Sequence, residues 1–252
     1  TVTGNRSVCV NSNTILNATS TTVTNPIFTW YDDAALTSVV FIGATLTTPN
    51  LTANKTYYVT VKGDNKCENL AADVLKIDLT VNTRATGADL TVSASTELCG
   101  PGSATLTATT STVTNPVFTW YSDANLTTVA GTGTSFTTPL LAATQTYYVT
   151  VRGDNKCENS PADAKTVTVV VKPFANNADL AVTPSAVEIC GSGSTTFTAS
   201  SSTVINPIFT WYSNANLTTV AGTGTSFATP VLTANQTYYV TVKGDNSCET
   251  PA

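Results

Sequence analysis

The sequence predicts an all-β protein built as three tandem antiparallel β-sandwiches. Three observations carry that expectation: a threefold repeat, a strand-forming composition, and apolar residues that alternate with threonines. The segment Asn115-Pro-Val-Phe-Thr-Trp-Tyr121 recurs as Asn25-Pro-Ile-Phe-Thr-Trp-Tyr31 and Asn206-Pro-Ile-Phe-Thr-Trp-Tyr212, so that Trp30, Trp120 and Trp211 stand 90 and 91 residues apart. A period of that length marks an array of similar domains. Thr makes up about a fifth of the chain, and Met is absent. Thr, Val and Tyr favour strands, whereas Met, Glu, Arg and Gln, which favour helices, are scarce. Each unit is close to the 100-residue size of a small sandwich.

The middle repeat is complete and gives the pattern. Leu90-Thr-Val-Ser-Ala94 reads as a first strand and Cys99-Gly-Pro-Gly-Ser103 as a turn. Ala104, Leu106 and Ala108 then alternate with Thr105, Thr107 and Thr109, which gives a strand with one buried face. Pro116 opens the next strand, where a missing N–H is harmless. Phe118 and Trp120 point to the core there, and Val117, Thr119 and Tyr121 point away. Ser122 to Val129 is a turn with a short edge segment, and Thr134 to Thr138 is a strand stopped by Pro139. Tyr147, Val149 and Val151 mark a longer strand, Gly153 to Glu158 turns the chain, and Val167, Val169 and Val171 mark the last strand. About seven short strands separated by turn residues describe a sandwich.

The expected domains are 1–83, 84–173 and 174–252, with Trp30, Trp120 and Trp211 as core residues. The joints Asn82 to Ala88 and Lys172 to Ala178 are short and not Gly/Ser coils, so consecutive domains are expected end to end with limited bending. After Cys248 only four residues remain, so the third domain is expected to lack its closing strand. A window cut from a longer array accounts for this. The alternative is a second chain that donates the strand.

Six cysteines fall as Cys9/Cys67, Cys99/Cys157 and Cys190/Cys248, each pair 58 residues apart and inside one repeat. An even count at a constant interval implies one disulfide per domain, made in an oxidising compartment. Zinc requires four clustered ligands, and the chain has no His and two Cys per unit. Cys9 is placed near where the chain enters its domain and Cys67 near where it leaves. Under tension the bond would then carry load past the residues it encloses.

The formal charge of −5 and the lack of basic clusters exclude nucleic acid as a partner. No apolar run approaches a membrane span, and no signal peptide precedes Thr1, so the sequence reads as a mature product or an excised piece. Catalysis has no foothold and no cofactor is expected. Asp32, Asp33, Asp123 and Glu158 have no evident repeated partner to tune them, and Asp33 and Asp123 become Asn214 in the third copy. The turns Gly63 to Asn65, Gly153 to Asn155 and Gly244 to Asn246 offer too few oxygens for calcium and suit tight turns. Tyr58, Tyr148 and Tyr239 read as cross-strand packing on the sandwich surface. The alternative for them is stacking on sugar rings.

Several stretches together resemble bacterial Ig-like repeats: Cys99 to Ala108, Phe118-Thr-Trp-Tyr-Ser-Asp123, Gly131-Thr-Gly-Thr-Ser-Phe-Thr-Thr-Pro139, Thr146-Tyr-Tyr-Val-Thr-Val151 and Cys157-Glu158. Such repeats are typical of very large surface and secreted proteins of Bacteroidota, including gliding-motility-type adhesins. The resemblance covers essentially the whole sequence. It implies export by the type 9 route, an extracellular or cell-surface location, and a role as an adhesin shaft or filament. The neighbouring repeats of the same chain, and other copies in a fibre, are the partners it implies. Accessory, glycan-binding modules of a secreted multidomain enzyme are the alternative. The family's sorting domain is absent from this sequence. The cysteines also depart from the antibody pattern of a disulfide between sheet centres with a Tyr two residues before the second Cys. They are expected to staple loops at one pole of each sandwich.

Overall fold

The computed structural model describes residues 1–184 and 187–249. The chain divides into two compact units. The first holds Thr1–Val92, Ala108–Thr134 and Tyr148–Lys165; the second holds Ser93–Thr107, Ser135–Tyr147 and everything from Thr166 onward. The division runs through the middle repeat.

In the first repeat the strands are β1 (Val2–Thr3), β2 (Ser7–Cys9), β3 (Ile15–Ala18), β4 (Ile27–Tyr31), β5 (Val39–Ile42), β6 (Thr45–Thr47), β7 (Lys55–Lys62) and β8 (Leu75–Asn82). They form a three-stranded sheet β1-β3-β6 and a five-stranded sheet β2-β8-β7-β4-β5. Alternation explains the core, since each strand sends every second side chain inward. Leu16, Phe28, Trp30, Leu46, Tyr57, Val59, Ile77 and Leu79 fill the space between the sheets, with Val8 and Leu51 closing its ends. The Trp30 indole is fully buried, and its Nε1–H donates to the Gly43 carbonyl at 3.0 Å, so the core is not purely apolar. That bond satisfies a donor that would otherwise be stranded out of water.

The middle repeat repeats the plan with β9 (Thr91–Val92), β10 (Thr96–Cys99), β11 (Thr105–Thr109), β12 (Val117–Tyr121), β13 (Val129–Thr132), β14 (Ser135–Thr137), β15 (Gln145–Arg152) and β16 (Lys165–Lys172). Its sheets run β9-β11-β14 and β10-β16-β15-β12-β13. The sequence pattern supplies six of these eight strands, and β13 overlaps the expected edge segment only at Val129. The pattern misses β10, and β2 in the first repeat. Both are short and end at a cysteine read as the start of a turn. Each pairs in parallel with the last strand of its repeat: Cys9 lies opposite Asn82, and Cys99 opposite Lys172.

The third repeat contributes β17 (Ala181–Thr183), β18 (Thr196–Ser200), β19 (Ile208–Tyr212), β20 (Val220–Thr223), β21 (Ser226–Ala228) and β22 (Tyr239–Lys243). Its sheets are β17-β18-β21 and β20-β19-β22. Among the described residues the larger sheet of this repeat has three strands where the other repeats have five, and one edge of β22 is unpaired. Trp211 stacks between Phe197 and Phe227 at 6.2 and 5.3 Å and donates to the Gly224 carbonyl at 3.0 Å.

Trp120 is likewise fully buried and donates to Gly133 at 3.0 Å. Replacing so large a buried side chain loses transfer energy and leaves a cavity. Trp120→Ala should cost about 3–5 kcal/mol in denaturant unfolding. A loss below about 1 kcal/mol would be incompatible with this burial.

Candidate functional site: the joints between repeats

The first joint begins where β8 ends. Beyond Asn82 the chain does not leave as a free coil but pairs with the 153–158 turn of the next repeat. Cys157 N–H donates to the Thr83 carbonyl at 2.9 Å, and Ala85 N–H donates to the Cys157 carbonyl at 2.8 Å, which makes a parallel bridge at Arg84. Asn82 Nδ2 donates to the Asp154 carbonyl at 2.9 Å, and the Arg84 guanidinium to the Glu158 carbonyl at 3.1 Å. Ala85 is wholly buried in the seam. A residue further on, Thr86 caps the short Gly87–Asp89 turn of helix. The Asp89 carboxylate accepts from Thr112 Oγ1 at 2.6 Å and lies 3.7 Å from Lys156 Nζ. These bonds satisfy the linker backbone, as buried backbone requires.

The second joint keeps the backbone pattern with different side chains. Cys248 N–H donates to the Pro173 carbonyl at 2.9 Å, and Ala175 N–H donates to the Cys248 carbonyl at 2.8 Å. Ala175 is again buried. Ser247 Oγ donates to the Pro173 carbonyl at 3.3 Å, and Lys172 Nζ meets Glu97 at 2.8 Å. An alanine in the seam, a cysteine facing it and the paired backbone are common to both joints.

At each joint a disulfide joins the two repeats. Cys9 is bonded to Cys157 and Cys99 to Cys248, with Cα atoms 5.8 and 5.6 Å apart. This corrects the pairing expected from sequence, Cys9/Cys67, Cys99/Cys157 and Cys190/Cys248 within single repeats. The reason is geometric. Cys9 is in register with Asn82, at the end where the chain leaves the sandwich, whereas Cys67 lies beyond Leu75, at the other end of β8. Eight residues of strand span about 25 Å, and a disulfide needs Cα atoms within about 7 Å. The two cysteines of a repeat therefore sit at opposite poles, and the reading of Cys9 near chain entrance and Cys67 near its exit is reversed. Cys67 and Cys190 are free, exposed thiols.

With this geometry in hand, the profile of the family described as "Ig-like domain CHU_C associated" matches residues 1–82, 88–173 and 178–252. The chain belongs to this Ig-like domain family. No curated protein matches its sequence. Among solved structures, the three N-terminal domains of the bacteriophage RB49 highly immunogenic outer capsid protein align at 14% identity and a TM-score of 0.41, covering 99% of this chain and 93% of that one. The I67–I69 fragment of titin, in an E-to-A variant, aligns at 11% identity and a TM-score of 0.35, covering 96% and 91%. Murine CEACAM1b aligns at 12% and 0.32, covering 69% and 100%.

Each Ig-like domain also carries a polar cluster on the outer face of its larger sheet. Tyr31, buried beside Trp30 in sequence but facing away from it, donates to Glu68 at 3.0 Å, and Thr60 donates to the same carboxylate oxygen. Tyr121 and Thr150 meet Glu158 at 2.8 and 2.6 Å, and Tyr212 and Thr241 meet Glu249. Glu158 therefore does have a repeated partner, which sequence reasoning overlooked because the two residues lie 37 apart. Tyr58 and Tyr148 are half-buried opposite Tyr31 and Tyr121, and the more exposed Tyr239 stands opposite Tyr212.

The Gly-Asp-Asn turns spend their side chains on the preceding loop. Asp154 accepts from Asn115 Nδ2 at 2.7 Å, while Asn155 accepts from Thr114 N–H at 2.8 Å and donates to the Thr112 carbonyl at 2.9 Å. A Cβ at Gly153 would stand 2.2 Å from the Thr114 carbonyl, so glycine is required there. No group of three or more His, Cys, Asp or Glu that could hold a metal occurs among the described residues. Asp123 and Asn214 do the same work in the same turn, accepting from Thr127 and Thr128 and from Thr218 and Thr219.

The Glu68 carboxyl is held below its ordinary value of 4.5, first by the Thr60 hydroxyl and, against the effect of burial, by Tyr31. A depressed folded pKa contributes stability that is present above the unfolded value and is lost as pH falls through the folded one. Glu68→Gln should therefore flatten the decline of stability below about pH 4.5, as read by thermal melts across pH. An unchanged acid limb would rule out a role for this cluster in acid stability.

Proposed function

We propose that this chain is part of the repeat region of an exported bacterial surface protein, a tension-bearing spacer that holds other modules away from the cell. Tandem Ig-like domains serve structural and adhesive repeat regions, and the family's association with Bacteroidota favours an extracellular, disulfide-permissive setting. No helix among the described residues is long and apolar enough to cross a membrane. The reading is non-catalytic.

One observation carries the proposal: successive repeats are covalently joined at their joints. In a pulled chain the load at Cys9 crosses to Cys157, returns to Cys99 and crosses again to Cys248. Only the 58 residues from Cys99 to Cys157 separate the two bonds on that route, against 239 from Cys9 to Cys248 along the backbone. At about 3.4 Å per extended residue the covalent limit is roughly 200 Å with the bonds intact and roughly 800 Å without them. Stretch is capped by bonds between neighbours rather than by a loop inside each domain.

Single-molecule pulling between handles outside Cys9 and Cys248 measures this directly. The fully extended length between Cys9 and Cys248 should stay near the shorter limit in oxidising buffer and rise about fourfold after reduction. Equal contour lengths in the two conditions would end the proposal.

A further inference from the structure

The two joints share a backbone and differ in what covers the sulfur. At the first, Cys157 is buried and Cys9 half-buried. Asn82, in register with Cys9, ties the repeats together beside that bond. Its Nδ2 donates to Ser7 Oγ at 3.0 Å and to the Asp154 carbonyl at 2.9 Å, and its carbonyl lies 3.7 Å from Cys157 Sγ. At the second joint Cys99 is exposed and Cys248 half-buried. Glu97 stands there in place of Ser7, and Lys172 in place of Asn82. Glu97 holds Lys172 Nζ at 2.8 Å within their own repeat, and among the described residues no side-chain bond from Lys172 reaches Asp245. What remains is a cleft of about 440 Å³ lined by both cysteines, Lys172, Lys243, Asn206 and Ile208. These residues put the cleft on the β19 side of β22. In the first two repeats the last strand pairs on the opposite edge of the strand equivalent to β22, so a chain that adds this strand builds away from the cleft.

We propose that the joints differ in redox sensitivity: a small thiol entering this cleft opens Cys99–Cys248 while Cys9–Cys157 stays closed. Thiol–disulfide exchange requires a thiolate to reach a sulfur, so access decides between two bonds that are otherwise alike. One small thiolate attacks a protein sulfur, forms a mixed disulfide and expels the other cysteine as a thiolate. A second attacks the small-molecule sulfur of that mixed disulfide and expels the remaining cysteine. The protein bond gains two electrons and the two small thiols leave as one disulfide, so atoms and electrons balance. With Cys99–Cys248 open, a load still crosses Cys9–Cys157, and the route onward runs through the 91 residues from Cys157 to Cys248 instead of the 58 from Cys99 to Cys157. A reductant thereby lengthens the tether in stages. The difference in reactivity does not rest on the spacer reading, which the pulling experiment tests separately.

The test is partial reduction of the folded chain. Cys67 and Cys190 are first blocked with iodoacetamide, so that they cannot exchange with either bond. The chain is then treated with 2-mercaptoethanol, which is uncharged, and newly freed thiols are trapped with N-ethylmaleimide over time and mapped by mass spectrometry. Cys99 and Cys248 should be labelled about tenfold faster than Cys9 and Cys157. In guanidinium chloride, where both bonds are open to solvent, the two rates should converge. The double variant Glu97→Ser/Lys172→Asn, which gives the second joint the residues of the first, should slow the release of Cys99 and Cys248. Equal rates in the folded chain, or faster loss of Cys9–Cys157, would overturn the proposal. So would a preference that persists undiminished in denaturant, because the cleft would then not be its cause.

Discussion

The structure turns on the direction of one short strand pair. β2 and β10 run parallel to the last strand of their own repeat, so each carries its cysteine to the pole where the chain departs. The second cysteine of every repeat follows the turn at the opposite pole. Once those poles are fixed, a bond inside the repeat is out of reach, and the nearest sulfur belongs to the neighbour. The linker follows the same logic. It leaves β8 beside Cys9 and pairs its backbone with the cysteine turn of the next repeat.

This arrangement changes what the sulfur chemistry does. Bonds with sequence separations of 148 and 149 close long loops, and the chain-entropy account assigns each about 5 kcal/mol as an upper figure. That stabilisation is shared by two repeats and does not belong to one. Stability in a repeat array is a sum of intrinsic and nearest-neighbour terms. Here the nearest-neighbour term combines a β-bridge, a buried alanine and a covalent bond. Opening one repeat strips its neighbour of a partner for the linker backbone, so unfolding of adjacent repeats should be coupled.

Most of the sandwich was legible because its signals are local. Trp30, Trp120 and Trp211 announce the buried strand, alternating threonines give its neighbours, and Gly-Asp-Asn marks the turn that clamps the preceding loop. The cysteine pairing was not legible, for a reason peculiar to repeats. The observed separations, 148 and 149, are the 58-residue interval plus one period, so pairing within a repeat and pairing between repeats look equally regular along the chain. Spacing cannot choose between them; the pole at which each cysteine lies does, and that depends on β2 and β10, three and four residues long. The Tyr–Glu–Thr cluster escaped notice for a related reason: its members join only when the segment after the turn folds over the outer sheet.

The most direct measurement of this account is the disulfide map of the unreduced protein. After alkylation of free thiols and digestion without reductant, peptides joining Cys9 to Cys157 and Cys99 to Cys248 should be recovered, with alkylated Cys67 and Cys190. Recovery of Cys9–Cys67 and Cys99–Cys157 peptides instead would contradict it.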